Sequence, residues 1–319
     1  MIKMRGVCLI IVPFFLFLFW RIGACPAYAE QINDHSLHRL FRPLAYETIS
    51  GLDNSAFVPI LMYHHFSKNV KASTVVHPYR FYEQMKALKE NGYETITERD
   101  LIGLMKGKKR LPKKPVLITI DDGYYSNYQY AFPILASLKM KATVYLVVGD
   151  ILDKRKNDHP LPRLTWAEVK AMYRSGFIDF QSHTFAMHRK GVTKKGLIAA
   201  PIWMNGKMET KEQYERRVLN DLLRSKAVIE QKLGNKVISF CYPFGSFSKH
   251  SEQLVKKAGF QLSLTTKPGA NAIGDGPFLL KRINVDNTDT GDKLIRKIEK
   301  YKRLERMRHS IFYSFRKGV

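Results

Sequence analysis

Apolar and β-branched residues gather along this chain in short runs at 58–63, 116–120, 142–148, 177–182, 237–242 and 261–266, with a shorter one at 94–96. Runs of this length, bounded by turn residues, predict strands, and the continuous ones predict strands buried on both faces. Between them the apolar positions return every three or four residues. Residues 81–91 carry Phe81, Met85 and Leu88 ahead of Gly92, and 213–233 form a long amphipathic stretch ahead of Gly234. Segments 98–105, 130–141 (with Pro133 near its start) and 251–258 (closed by Gly259) also predict helices. Thr165 with Glu168 three residues on is a capping box opening a helix that runs to about Ser175-Gly176. At least six strand–helix units alternate without internal repeat, which predicts an α/β fold, either a parallel barrel or an open sheet.

Several strands end in chemistry. The run Val116-Leu117-Ile118-Thr119-Ile120 stops at Asp121-Asp122-Gly123. Adjacent carboxylates repel unless a cation relieves them. Side chains alternate along a strand, so the two serve one site only if the backbone turns there, as Gly123 permits. One can then ligate a metal and the other act as a base. Taken alone, the triplet equally suits a polar turn. The strand at 58–63 ends in His64-His65, which suits a site or a solvated loop, and the strand at 177–182 ends in His183, with His188 five residues later. Two imidazoles at such a bend, with Asp122, form a set of ligands that leaves coordination positions open.

Composition is ordinary for a folded protein, with 45% hydrophobic and 25% charged residues, and 319 residues suit one large domain with tails. The charge balance is unusual. Residues 1–29 have the layout of an export signal: Lys3 and Arg5, an apolar run at 7–20, then Ala27-Tyr28-Ala29. Cys25 also offers a lipidation site, although Arg21 interrupts its apolar approach, and an uncleaved anchor is a further alternative. Cleavage leaves Cys241 as the lone cysteine, so no internal disulfide forms. It also leaves a net charge of about +22, from +25 for the whole chain. Outside the cell this implies anionic wall or matrix polymers as partners and argues against nucleic acid. Residues 30–55 suggest a linker. Residues 292–319 hold ten Lys or Arg against three acids, with Leu294, Ile295, Ile298, Tyr301, Leu304 and Met307 at helical spacing. This basic amphipathic helix suits either the last helix of the barrel or a membrane- or wall-binding tail.

Thr119-Ile120-Asp121-Asp122-Gly123, Ser182-His183-Thr184 through His188, and Tyr242-Pro243-Phe244-Gly245 resemble, in order and spacing, three motifs of the polysaccharide deacetylase family. The resemblance spans about residues 56–286. Residues 61–65, 81–85 and 280–285 are most similar to secreted or surface-attached enzymes that deacetylate poly-N-acetylglucosamine. It implies a distorted (β/α) barrel of about seven strands: a single NodB-type domain over 56–290, then the helix at 291–319. It also implies an exported or cell-surface, monomeric enzyme that removes acetyl groups from N-acetylglucosamine polysaccharide.

In the roles the resemblance implies, Asp122, His183 and His188 hold a divalent ion, expected to be zinc. Asp121 is the base, and the loop Tyr242, Pro243, Phe244 and Gly245 supplies oxyanion and substrate contacts, with the backbone N–H at Phe244. The family's late histidine is absent, with Arg282 in that region. His64 takes the role of general acid by elimination and by its place at a strand end, with His65 pointing the other way. The family's arginine ahead of the Tyr-Pro-Phe loop is also absent, which leaves open how Asp121 is held. Tyr124, Tyr125, Trp203 and Phe247 can stack on sugars or fill core and surface. Two alternatives stand beside this reading: a peptidoglycan or chito-oligosaccharide deacetylase, and an inactive glycan- or polyanion-binding barrel.

Overall fold

The computed structural model describes residues 57–316 apart from 111, 152, 154–160, 192–193 and 205, so the signal expected over 1–29 and the linker over 30–55 lie outside the described residues. Parallel strands β1 (Phe57–Tyr63), β2 (Pro115–Asp121), β3 (Ala142–Leu146), β4 (Ile178–Ser182), β5 (Ser239–Cys241), β6 (Leu262–Pro268) and β7 (Leu280–Asn284) pair in a ring. Closure rests on β1, where Leu61 lies opposite Ile118 of β2 on one side and Ile283 of β7 on the other. The seven-stranded barrel is distorted at two seams: β4 meets β5 through Ser182 and Phe240, and the register between β6 and β7 shifts between Leu264 and Pro268.

The strand expected at 94–96 exists as Glu94–Thr95, but it lies beside β2 outside the ring. The remaining stave is β7, to which the sequence pattern assigned no strand. Lys281, Arg282 and Asn284 break its apolar run, because Arg282 points inward and is fully buried while Ile283 packs outward against the helices. A strand that buries a guanidinium does not look apolar.

Alternation along the strands makes two cores. Val58, Ile60, Leu117, Tyr145, Leu262, Leu264 and Leu280 fill the barrel, joined by Leu101 and Ile102 of helix α2 (Glu98–Met105), which follows α1 (Pro78–Glu90). Glu98, at the start of α2, accepts hydrogen bonds from Thr143 (2.7 Å) and Tyr145 (2.8 Å), so α2 closes the end where the strands begin. Burial pushes the Glu98 carboxyl up to about 7. Chemistry is left to the other end. Outward-facing Leu61, Ile118, Ile120, Val144 and Phe180 pack under the helical layer. That layer continues with α3 (Phe132–Ser137), α4 (Trp166–Arg174), α5 (Lys211–Leu233), α6 (Lys249–Lys257) and α7 (Gly291–Arg316). The Thr165–Glu168 capping box forms as its spacing predicts.

The basic helix α7 packs on α1 and β1. Leu294 and Ile298 are fully buried, and the Gly291 N–H donates to Glu83 (3.0 Å). Leu304 and Met307 are each 45% exposed, so the apolar positions divide between the barrel and the surface. Truncating Ile298 to Ala should cost about 2–5 kcal/mol in urea unfolding, whereas replacing exposed Lys293 by Gln should stay within about 0.5 kcal/mol. Equal, small effects would show that α7 does not cover the core.

Candidate active site

The inward positions of β2 are Leu117, Thr119 and Asp121, so strand alternation delivers the Asp121 carboxylate to the open end of the barrel. Asp122 would by the same rule face the helices. It does not, because its backbone takes a left-handed φ of 75°, followed by Gly123 at 67°, and the chain turns the second carboxylate to the same opening. Gly123 keeps a φ that side chains rarely adopt, and a Cβ there would lie 2.9 Å from Leu146 Cδ2, so glycine is the residue that suits this turn. Arg163 fastens it from outside by donating to the Asp122 carbonyl (2.8 Å).

His183 leaves the end of β4, its N–H donating to the Leu146 carbonyl (2.9 Å) and its Nδ1 to the Cys241 carbonyl (2.7 Å). A carbonyl can only accept, so Nδ1 carries a proton and Nε2 is the ring atom left to face the opening. Nε2 lies 3.4 Å from Asp122 Oδ1, and His188 Nε2 lies 3.1 Å from the same oxygen. The ligand atoms of all three residues fall within 4.8 Å of one another. Asp122 Oδ1 is buried with no hydrogen-bond partner. A lone pair and a carboxylate oxygen turned toward each other are unfavourable unless a proton or a cation sits among them. Two nitrogens and one oxygen therefore fit a divalent ion of the zinc type. A proton on the imidazole Nε2 atoms answers the same conflict: burial alone would raise the Asp122 carboxyl, and the two imidazoles, donating toward it, hold it well below its ordinary range.

Asp121 is held by a residue that the sequence did not suggest for this task. Arg282, from β7, which only β1 separates from β2 in the ring, donates from Nη1 to Oδ1 (2.8 Å) and from Nη2 to Oδ2 (2.7 Å). Its Nε also donates to the Thr265 carbonyl (2.8 Å) and its Nη1 to the Thr119 hydroxyl (3.2 Å). The Cys241 thiol also donates to Asp121 Oδ2 at 3.6 Å. Burial alone would raise the Asp121 carboxyl, but Arg282 brings it down to about 2. The missing arginine is thus replaced from another strand. A charged residue between Leu280 and Ile283 was the available signal, since a buried guanidinium requires an anion.

The histidine pair after β1 divides. His64 Nε2 lies 3.8 Å from Asp121 Oδ2, and its Nδ1 is buried without a hydrogen bond. Burial pushes the imidazole below its ordinary value, against the pull of Asp121 and Asp122. His65 turns aside, with Nδ1 2.9 Å from the Ser126 hydroxyl and its ring against Tyr124.

Of the loop residues expected at the site, Phe244 takes φ 58° and sets its half-exposed ring 4.5 Å from that of His188. Gly245, at φ 64°, passes so close to Thr266 that a Cβ would overlap its hydroxyl at 2.0 Å. Tyr242 corrects the expectation: its side chain is fully buried and donates to Glu252 (2.7 Å), away from the site, because strand alternation points it into the helical layer. Pro243 is buried beside it. Among the aromatics, Trp203 is 58% exposed on a small hairpin, Tyr124 lies under Arg163, Phe247 packs on Tyr242 and Tyr125 lies against Tyr128.

A parallel barrel with an Asp-His-His cluster, a second carboxylate and a histidine at the end of its strands has the layout of a hydrolytic enzyme. The chain belongs to the polysaccharide deacetylase family, hydrolases that act on the amide bonds of acetylated sugars. The family profile matches residues 108–263. YxkH of Bacillus subtilis (strain 168), itself named for this family, is 30% identical over 250 residues, covering 78% of this chain and 79% of its own. The poly-beta-1,6-N-acetyl-D-glucosamine N-deacetylase of Staphylococcus aureus (strain MRSA252) is 26% identical over 231 residues, 72% of this chain and 74% of its own. The structure of IcaB from Ammonifex degensii superposes with a TM-score of 0.64 at 25% identity, covering 76% of this chain and 97% of that one.

The Asp121–Arg282 pair carries a pH signature. A carboxyl lowered from 3.8 to about 2 contributes stability above pH ~4 that is lost as the pH falls toward ~2. Urea unfolding between pH 4 and 2 should therefore be less pH-dependent in Asp121→Asn than in the wild type. Equal slopes would show that Asp121 is not an ionised partner of Arg282.

Proposed function

We propose that this protein is an exported, metal-dependent N-deacetylase acting on N-acetylglucosamine units, with poly-β-1,6-N-acetyl-D-glucosamine as its substrate. The observation that carries the reaction type is the unpartnered Asp122 oxygen facing two imidazoles, with Asp121 paired to Arg282 beside it. The name of the Staphylococcus aureus relative supports the substrate, and a peptidoglycan or chito-oligosaccharide substrate keeps the same chemistry.

Asp122, His183 and His188 would hold the ion. When bound, zinc supplies a Lewis acid that polarises the acetyl carbonyl and acidifies water. The chain's own groups divide the proton traffic. Asp121 accepts the proton of the attacking water; Arg282 keeps it ionised and aimed, at the cost of making it a weak base. The Phe244 N–H donates to the oxygen as negative charge develops on it. His64 gives a proton to the departing nitrogen as the carbon–nitrogen bond breaks, releasing acetate and a glucosamine unit. The positive charge of the chain would retain the enzyme on anionic wall or matrix polymers, an attraction screened over ~8 Å at physiological ionic strength.

The purified protein should release acetate from poly-β-1,6-N-acetyl-D-glucosamine faster than from peptidoglycan or chito-oligosaccharides, and a chelator should abolish the release. Asp122→Asn, His183→Ala and His188→Ala should each lose metal and activity, while Asp121→Asn keeps metal and loses turnover. Full zinc content in His188→Ala would refute the ligand set, and faster turnover on peptidoglycan would replace the substrate.

The acid role of His64 has its own test. His64→Ala should lower kcat by ~10²–10⁴-fold with metal retained. A depressed imidazole loses its proton as the pH rises through a value below 6.5, so the alkaline limb assigned to His64 should begin there and vanish in the variant. If His65→Ala reproduced this behaviour and His64→Ala did not, the acid would be His65.

A further inference from the structure

The two histidines of the cluster are anchored by different means. His183 is fixed by the backbone of β3 and β5, through Leu146 and Cys241. His188 lies five residues on, beyond the sheet, and its position depends on the turn between them. That turn is held by Asp221, a residue of α5 whose carboxylate is outside the reaction described above. Asp221 Oδ1 accepts the Phe185 N–H (2.8 Å) and the Thr184 hydroxyl, and Oδ2 accepts the Ala186 N–H (2.8 Å). The Thr184 hydroxyl in turn accepts the Met187 N–H (2.9 Å). One buried carboxylate thus reaches, directly or through a single hydroxyl, every residue between the two histidines.

The turn needs such a hold. Thr184 has a φ of 119°, a conformation that a β-branched residue keeps only where its surroundings impose it. On the far side, the N–H groups of Val148 and Gly149 donate to the carbonyls of Thr184 (3.0 Å) and Phe185 (2.7 Å). The Arg224 guanidinium lies 3.8 Å from the centre of the Phe185 ring. Those contacts fix the carbonyl side of the turn; on its N–H side Asp221 takes the Phe185 and Ala186 N–H groups, while the Thr184 N–H donates to Ser182 Oγ (3.4 Å). Without that acceptor the Phe185 and Ala186 N–H groups lose their partner, and Thr184 can relax toward negative φ, which swings His188 away from Asp122.

We infer that Asp221 is a positioning residue for His188, so that a carboxylate on helix α5 sets the affinity of the Asp122-His183-His188 cluster for its ion. This rests on the reading of those three residues as ligands. Partners that orient ligands in this way typically contribute ~10–100-fold to metal affinity. The test is chelator-competition binding of zinc to the full chain, with the visible spectrum of the cobalt-loaded protein as a report on ligand geometry. Asp221→Asn, which keeps the volume but turns an NH2 group toward one of the donors, should weaken zinc binding ~10–100-fold and alter the cobalt spectrum. Saturating zinc should restore most of kcat, since Asp221 touches no reacting atom. Should Asp221→Asn fail to fold, Thr184→Val removes the hydroxyl that links Asp221 to Met187 and should weaken zinc binding in the same direction by less. Wild-type zinc affinity and an unchanged cobalt spectrum in the folded variant would overturn the inference. His188→Ala separates the two failures: if it loses zinc while Asp221→Asn does not, the positioning role alone falls, and if it too binds zinc normally, the ligand reading falls with it.

Discussion

The structure depends on the pairing of Asp121 with Arg282 inside the barrel. Both side chains are essentially removed from solvent, and desolvating two charges costs several kcal/mol per ion unless geometry and further hydrogen bonds compensate. Here the contact is bidentate, and the guanidinium also donates to the Thr265 carbonyl and the Thr119 hydroxyl. The pair ties β2 to β7 across the strand end, with β1 between them in the ring. It also keeps the Asp121 carboxyl charged, while its neighbour Asp122 faces the imidazoles.

Two adjacent carboxylates thereby acquire separate partners through backbone geometry. Asp121 obeys strand alternation and meets Arg282, while Asp122 breaks it with a left-handed residue and meets His183 and His188. The site stores strain at Asp122, Thr184 and Phe244, all non-glycine residues at positive φ. Each is braced by a longer-range contact: the Asp122 carbonyl by Arg163, Thr184 by Asp221, and the Phe244 loop by the close approach of Gly245 to Thr266. Strain of this kind persists where the surroundings over-determine it, and it clusters where function needs side chains in directions the regular elements do not offer.

The closed end of the barrel serves the open one. Helix α2 fills the mouth where the strands begin and satisfies its own buried Glu98 with Thr143 and Tyr145, so the polar groups at the other end are the ones left facing outward.

The sequence by itself determined the alternation of strands and helices, the capping box at Thr165 and the strand ends that carry Asp121, Asp122, His64 and His183, because these follow from local periodicity and local hydrogen bonding. It also contained the spacing from His183 to His188. It did not determine which strand completes the ring: β7 carries Lys281, Arg282 and Asn284, and its charge makes sense only once Asp121 stands opposite. Nor did it reveal that Tyr242 belongs to the core or that Asp221 reaches back to residues 184–187. Those are contacts between residues distant in the chain, and only closure of the barrel decides them, since it brings the ends of β1, β2, β4, β5 and β7 around one opening.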